Sequence, residues 1–183
     1  MKTKFLDSNE KYDGSQLVSL RNYLVHGLLG DSCVAWVGPC DVSLEHMVDG
    51  EDLIEKAAIR GDKMVHFIVE KFDVSLFAAV AVRRLMASII KDILSGHGVE
   101  LIRTGDDIFA GDRKLSISIA TQSPVNSLIH FAVNVNNKNT PVKTLALEDL
   151  GVEPRAFAVK VMERLEVEVQ GIIEATHKVR WVR

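Results

Sequence analysis

Arg103-Thr104-Gly105-Asp106-Asp107-Ile108-Phe109-Ala110-Gly111-Asp112-Arg113-Lys114-Leu115-Ser116 decides the fold. An acidic pair precedes a short apolar run. Gly111-Asp112 then turns the chain, and Lys114 opens a second run with strand-like alternation. The pattern predicts a β-hairpin that presents one lysine at the start of a strand.

Working outward, Leu76 to Leu94 predicts a long helix, with Phe77, Ala81, Leu85, Ile89 and Ile93 as its stripe, ended by Gly96 and Gly98. Met64 to Phe72 reads as a strand. Cys33 to Val37 reads as a second, ended by Gly38-Pro39. Two longer strands are expected near 114–121 and 128–136, joined by a turn at Ser123-Pro124-Val125-Asn126. Asp13-Gly14-Ser15 punctuates the chain. Leu17, Leu20 and Leu24 then recur at helical spacing, with Asp13 or Ser15 as N-cap. Ser43 to Asp62 is acidic, with two helical turns broken at Gly50. A last helix opens at Pro154, with Phe157, Val161, Leu165, Val169 and Ile173 buried. The expected class is α+β: a largely antiparallel mixed sheet with helices on one face, as one domain over 1–183.

Alternation assigns faces within each strand. Leu115, Ile117 and Ile119 share one side, opposite Lys114, Ser116, Ser118 and Ala120. Ile129, Phe131, Val133 and Val135 share one side, opposite His130, Ala132, Asn134 and Asn136. The expectation is that both apolar sets meet the helices, and that the lysine, hydroxyls, histidine and amides gather on the other face with His66 and Glu70. A solvated sheet face accounts for that pattern. So does a ligand bed, because small hydroxyls and amides surround a single lysine.

The chain has 183 residues, is 47% hydrophobic and 26% charged, and carries a formal net charge of −3. That is globular, and no general affinity for nucleic acid follows, so DNA is not an expected partner. The polar start offers no apolar leader, and the run Val74 to Val82 is too short for a bilayer. Cys33 and Cys40 make neither a disulfide framework nor a metal pair. A cytoplasmic chain is expected, without a membrane partner.

The hairpin resembles the signature of biotin and lipoate protein ligases, where a basic-x-x-x-Asp-apolar strand leads through a turn into a Lys-Leu or Lys-Ile strand. From Met64 to about Ile173 the order also resembles their catalytic domain. Val133-Asn134-Val135-Asn136 is similar to an Asn-x-Asn strand ending, and Thr144, Leu147 and Leu150-Gly151 to a Thr-x-x-Leu stretch. Tyr12-Asp13-Gly14, Gly30-Asp31-Ser32, Met47-Val48-Asp49 and Arg180-Trp181-Val182 look like an uncharacterised archaeal and bacterial family of the domain-of-unknown-function series. That family is similar in fold to these ligases and to class II aminoacyl-tRNA synthetases. The resemblance implies a small carboxylic acid as ligand, ATP and Mg²⁺ as co-reactants, an acceptor protein or small molecule, and association as a homodimer. Three positions depart from the ligase pattern. Met47 to Asp52 is acidic where the ligases have an Arg- and Gly-rich loop. Ser116-Ile117 replaces a glycine, and Thr104-Gly105-Asp106 replaces Trp-Pro-Asn. Biotin itself is therefore not the expected acid.

Carried onto this chain, the resemblance makes Lys114 the catalytic cation and Asp107 the Mg²⁺ carboxylate. Arg103, Asp106, Ser116, Ser118, His130 and Asn134 are further candidate substrate or nucleotide contacts, the last four as members of the polar sheet face. Each has a plainer reading: a surface lysine, a carboxylate capping a turn, a solvated strand end, a hydrogen-bonded histidine. His66 and His130 are also candidate general bases. Cys40 is the alternative nucleophile, as in superfamily members that pass an acyl group through a thioester, and it would need a cation nearby to lower its pKa. A buried structural cysteine is the competing reading. Asp49, Glu51 and Asp52 are explained either by a cation or by a helix start. A non-catalytic ligand-binding module on a degenerate ligase fold is the third function class.

Overall fold

A computed structural model describes residues 1–182. Eight strands and four α-helices follow in the order β1 (Lys2–Phe5), α1 (Arg21–His26), β2 (Ser32–Val42), α2 (Gly50–Glu55), β3 (Ile59–Lys71), α3 (Leu76–Leu94), β4 (Ile102–Thr104), β5 (Asp107–Ala110), β6 (Arg113–Lys114), β7 (Ser116–Gln122), β8 (Ser127–Asn134) and α4 (Pro154–His177). A five-stranded sheet runs β1-β2-β3-β8-β7, and β4-β5-β6 form a small second sheet. Only β1 pairs parallel; every other pair in both sheets is antiparallel. The α+β expectation holds.

The hairpin forms as its turn chemistry dictates. Thr104 pairs with Asp107 across Gly105-Asp106, and Ala110 with Arg113 across Gly111-Asp112. Two-residue loops need positive φ, and Gly105 (65°) and Gly111 (59°) supply it without a Cβ penalty.

Helices α3 and α4 cover one face of the large sheet. Cys33, Ala35, Val65, Phe67, Val69, Ile129, Phe131 and Val133 meet Met86, Ile90 and Leu94 of α3 and Phe157, Val161 and Leu165 of α4 in one cluster. Phe67 and Phe157 contact edge to face, with centroids 6.4 Å apart. Ser75 caps α3 by accepting from Ala78 N. The Glu153 carboxylate caps α4 by accepting from Arg155 N and Ala156 N.

Four local expectations are corrected. The α3 stripe is rotated: Phe77 is 85% exposed, while Ala79, Met86, Ile90 and Leu94 are buried. A 19-residue helix apolar on most sides cannot be phased from sequence when two faces carry comparable stripes. The helix read after Asp13 begins only at Arg21, and Leu24 is 72% exposed. Asp13 spends its carboxylate on Ser15 N and Oγ, and Leu20 sits at φ 63°. The helix start is fixed instead by the buried Glu70, which accepts from Asn22 N at 2.9 Å. Strand β2 does not stop at Gly38-Pro39; it passes a bulge there and runs to Val42. In α4 the stripe is as read from Phe157 to Val169, but Ile173 is exposed.

The fifth correction concerns register. Ser116 pairs with Val133, Ile117 with Ala132, Ser118 with Phe131 and Ile119 with His130. Directly opposed residues share a face. Ile117 and Ile119 therefore lie beside Ala132 and His130, and Ser116 and Ser118 lie on the helix side. Of the expected apolar set Leu115, Ile117 and Ile119, only Leu115 meets the helix-side core with Phe131 and Val133, while Ile117 lies on the other face.

Candidate functional site

The face away from α3 and α4 forms the floor of a cleft of about 510 Å³. Ile117, Ile119, Met64, His130 and Asn134 come from the sheet. Tyr12 closes one side, Asp106, Asp107 and Lys114 form the hairpin wall, and the acidic segment with Asp49, Glu51 and Asp52 forms the opposite one. The first 60 residues thus supply a whole wall. The volume suits one small organic molecule.

Lys114 Nζ donates to Asp107 Oδ2 at 2.9 Å and stands 5.9 Å from the Phe109 ring centroid. The pair is about one-third exposed on each side. Asp106 accepts from Arg83 Nη2 at 3.2 Å and from Ser118 Oγ at 2.8 Å. Arg83 Nη1 also donates to Ser118 O, while its Nε is buried without a partner. Ser116 Oγ accepts from Ile108 N at 3.2 Å, tying hairpin to sheet. Asn134 Nδ2 donates to Lys114 O at 3.1 Å and Leu145 O at 3.3 Å, fixing the backbone that carries the lysine. Asn136 accepts from Lys138 N in a turn. Arg103 lies outside the cleft, in an open depression with Ser88, Lys91 and Asp92, and donates to Gly105 O.

Deeper in the floor, Tyr12 stacks on His130 with centroids 3.6 Å apart and planes 11° apart. His130 Nε2 and His66 Nδ1 are 3.1 Å apart, and His66 Nε2 meets Gly38 O at 3.2 Å. Trp36 packs 5.0 Å from His66 and donates its Nε1 to Glu10 O at 2.8 Å. Gly38 permits this layer: a Cβ there would lie 2.2 Å from Glu10 O. Burial holds His66 down at about 4 and His130 well below its ordinary value, the latter helped by His66. Burial raises the Tyr12 hydroxyl, with Cys40 and Asp13 adding to it. Burial first, then Asp49, raises the Asp52 carboxyl, while Lys114 across the cleft opposes them.

Cys40 is 2% exposed, and burial pushes its thiol up to about 12, which is opposite to what an attacking thiolate needs. Asp49 is the N-cap of α2, accepting from Glu51 N and Asp52 N. Among the described residues no group of three His, Cys, Asp or Glu side chains is arranged to hold a metal. No helix among them is long and apolar enough to cross a membrane.

Sequence reasoning missed Tyr12 and Arg83. For Arg83 a signal exists, a charge inside the long apolar helix. For Tyr12 there is none, because its place depends on a parallel bridge to Cys40.

The profile of a family described as a domain of unknown function, DUF366, matches residues 1–180, and the chain belongs to that family. An uncharacterised protein of Methanocaldococcus jannaschii is 32% identical over 155 residues, covering 81% of this chain and 70% of that protein. A solved protein of unknown function from Pyrococcus horikoshi is 38% identical, with TM-score 0.92 and full coverage of both chains. A biotin protein ligase of Aquifex aeolicus has TM-score 0.61 at 12% identity, covering 95% of this chain and 71% of that one. A lipoate-protein ligase A bound with ATP has TM-score 0.53 at 16% identity, covering 89% of this chain and 83% of that one. The architecture is that of the biotin and lipoate ligase catalytic domains; at such identity the likeness concerns fold alone.

Proposed function

We propose that this chain of the DUF366 family binds a small carboxylic acid in the cleft and activates it with ATP for transfer to an acceptor. The observation that carries the reading is Lys114. It stands on the hairpin wall of a molecule-sized cleft, in a ligase-like fold, held by Asp107 at 2.9 Å.

The acid's carboxylate attacks the α-phosphorus, pyrophosphate leaves, and a mixed anhydride forms. An acceptor nucleophile then takes the acyl group and AMP leaves. Lys114 neutralises the negative charge that grows on the phosphate and carboxylate oxygens. Asp107 limits where the ammonium can swing. Ile117, Ile119 and Met64 keep water from the anhydride. The cleft lining carries Arg60, Arg83 and Lys114 against Asp49, Glu51, Asp52, Asp106 and Asp107, three cations to five carboxylates. That balance repels a bare triphosphate and suits one carried by a divalent cation. Asp107 and Asp52 are the carboxylates that would hold Mg²⁺, which supplies charge neutralisation to the phosphates.

The test is ATP–pyrophosphate exchange over a panel of small acids. Lys114→Ala should lower exchange by roughly 10²–10³-fold, the usual scale for one oxyanion-stabilising donor. Exchange that survives the substitution overturns the assignment.

The acidic wall favours a second reading, a binding module without turnover. It predicts that acids raise the melting temperature while no acid supports exchange.

A further inference from the structure

The two buried histidines carry an inference about the acid itself, resting on the reading of this cleft as its binding site. A carbonyl oxygen only accepts, so His66 Nε2 must carry the proton it gives to Gly38 O. A neutral His66 then has a bare Nδ1. The 3.1 Å contact can be a hydrogen bond only if His130 Nε2 donates to it. That leaves Nδ1 of a neutral His130 unprotonated. The chain of bonds starts at a backbone carbonyl, so one tautomer is imposed on both rings.

Burial keeps both rings neutral near pH 7. The chain also ends on a group that cannot take up a proton. It is therefore a positioning device and not a relay. His130 is 3% exposed and lines the cleft, and among the described residues nothing bonds its Nδ1. Tyr12, stacked at 3.6 Å, and the row through Trp36 and His66 stop the ring from tilting. Such an acceptor disfavours a purely aliphatic body, which would bury the lone pair unpaired.

We propose that His130 Nδ1 is a fixed hydrogen-bond acceptor for the body of the bound acid, so that the acid carries a neutral N–H or O–H donor, as in a lactam, amide or alcohol, remote from its carboxylate. His66 is the positioning residue that sets the tautomer. Plain aliphatic acids fall outside the class.

Long-range proton–nitrogen correlation on the ¹⁵N-labelled full chain at pH 7 reads each ring nitrogen. The expected result is a protonated Nε2 and a bare Nδ1 on both histidines. The probes are 2-piperidone, which has one N–H, and N-methyl-2-piperidone, which has the same ring without it. The first should move the His130 Nδ1 resonance upfield and the second should leave it. A protonated His130 Nδ1 overturns the proposal. So does an equal response to both probes, or none to 2-piperidone at its solubility limit. Lys114→Ala should keep the 2-piperidone response. Loss of ATP exchange and loss of this response therefore report separately on the adenylation reading and on the His130 acceptor.

Discussion

The two faces of the large sheet are built from the same strands by opposite means. Toward the helices, Phe67, Phe131, Val65 and Val133 are wholly buried and held by area alone. On the other side, Met64, Ile68 and Ala132 form a smaller apolar cluster with Trp36, and among them stand His66, Glu70, His130 and Asn134, each buried and tied by named hydrogen bonds. The first face tolerates any repacking of similar volume. The second is held by particular groups, and losing one partner leaves another unpaired in a dry place. Of these polar groups His130 and Asn134 reach the cleft, while His66 and Glu70 lie beneath it, and the apolar face carries most of the stability.

The largest expected break in that contrast is Phe67→Ala. Deleting a fully buried ring against Phe157 should cost about 3–5 kcal/mol in denaturant unfolding. A loss below about 1 kcal/mol would show that area on the helix face is not what holds the fold.

Acid should act through the other face. His66 is held down at about 4 from 6.5, and His130 is lowered as well. At pH 7 both are neutral in the folded chain and largely so in the unfolded one, and they cost little there. As pH falls below 6.5 the unfolded chain takes up protons that the folded chain refuses, so stability falls until about pH 4. For His66 alone the loss is about 3 kcal/mol at 1.36 kcal/mol per pH unit. Glu70, raised mainly by burial, works in the opposite direction. Denaturant melts from pH 7 to pH 4 should show the fall, and His66→Phe should flatten it. An unchanged slope in that variant would remove the histidines from the account.

Gly38→Ala should cost about 1–3 kcal/mol, because its Cβ would lie 2.2 Å from Glu10 O. It should also disturb the Trp36 indole signal, since Trp36 bonds that same carbonyl. Full stability would mean that the 9–12 segment moves freely.

The smallest effect is expected at Ser75→Ala, which removes the α3 cap and should cost about 1 kcal/mol without touching the cleft.

Some of this was legible in the residues alone. Gly105 and Gly111 can only be turns here, so the hairpin and Lys114 at its end followed directly. Helix α3 was read at its observed ends, from its apolar stripe and the glycines after it. Pro154 fixed the start of α4. Within the site, Asp106, Asp107, Lys114, His130 and Asn134 do line one cleft. Arg103 does not, because β4 is the outer strand of its small sheet. Ser116 and Ser118 also line the cleft, although their hydroxyls are engaged with Ile108 N and Asp106.

The register shows why the rest was hidden. Each strand's alternation is a local property of a pleated chain, so which residues share a side within β7 and within β8 followed from sequence. Leu115, read with Ile117 and Ile119, instead joins the helix-side core because the chain breaks from strand there, between β6 and β7. Which side of β7 lies beside which side of β8 did not follow from sequence. The turn at 123–126 pairs Gln122 with Ser127, so odd-numbered residues of β7 oppose even-numbered residues of β8. One residue more or less in that turn would exchange the two faces of β7. Local sequence pattern thus made the strands, the two long helices and the lysine hairpin. Only tertiary pairing set Ile117 and Ile119 beside His130 and brought Tyr12 onto its ring, because a contact between distant segments has no period within either one.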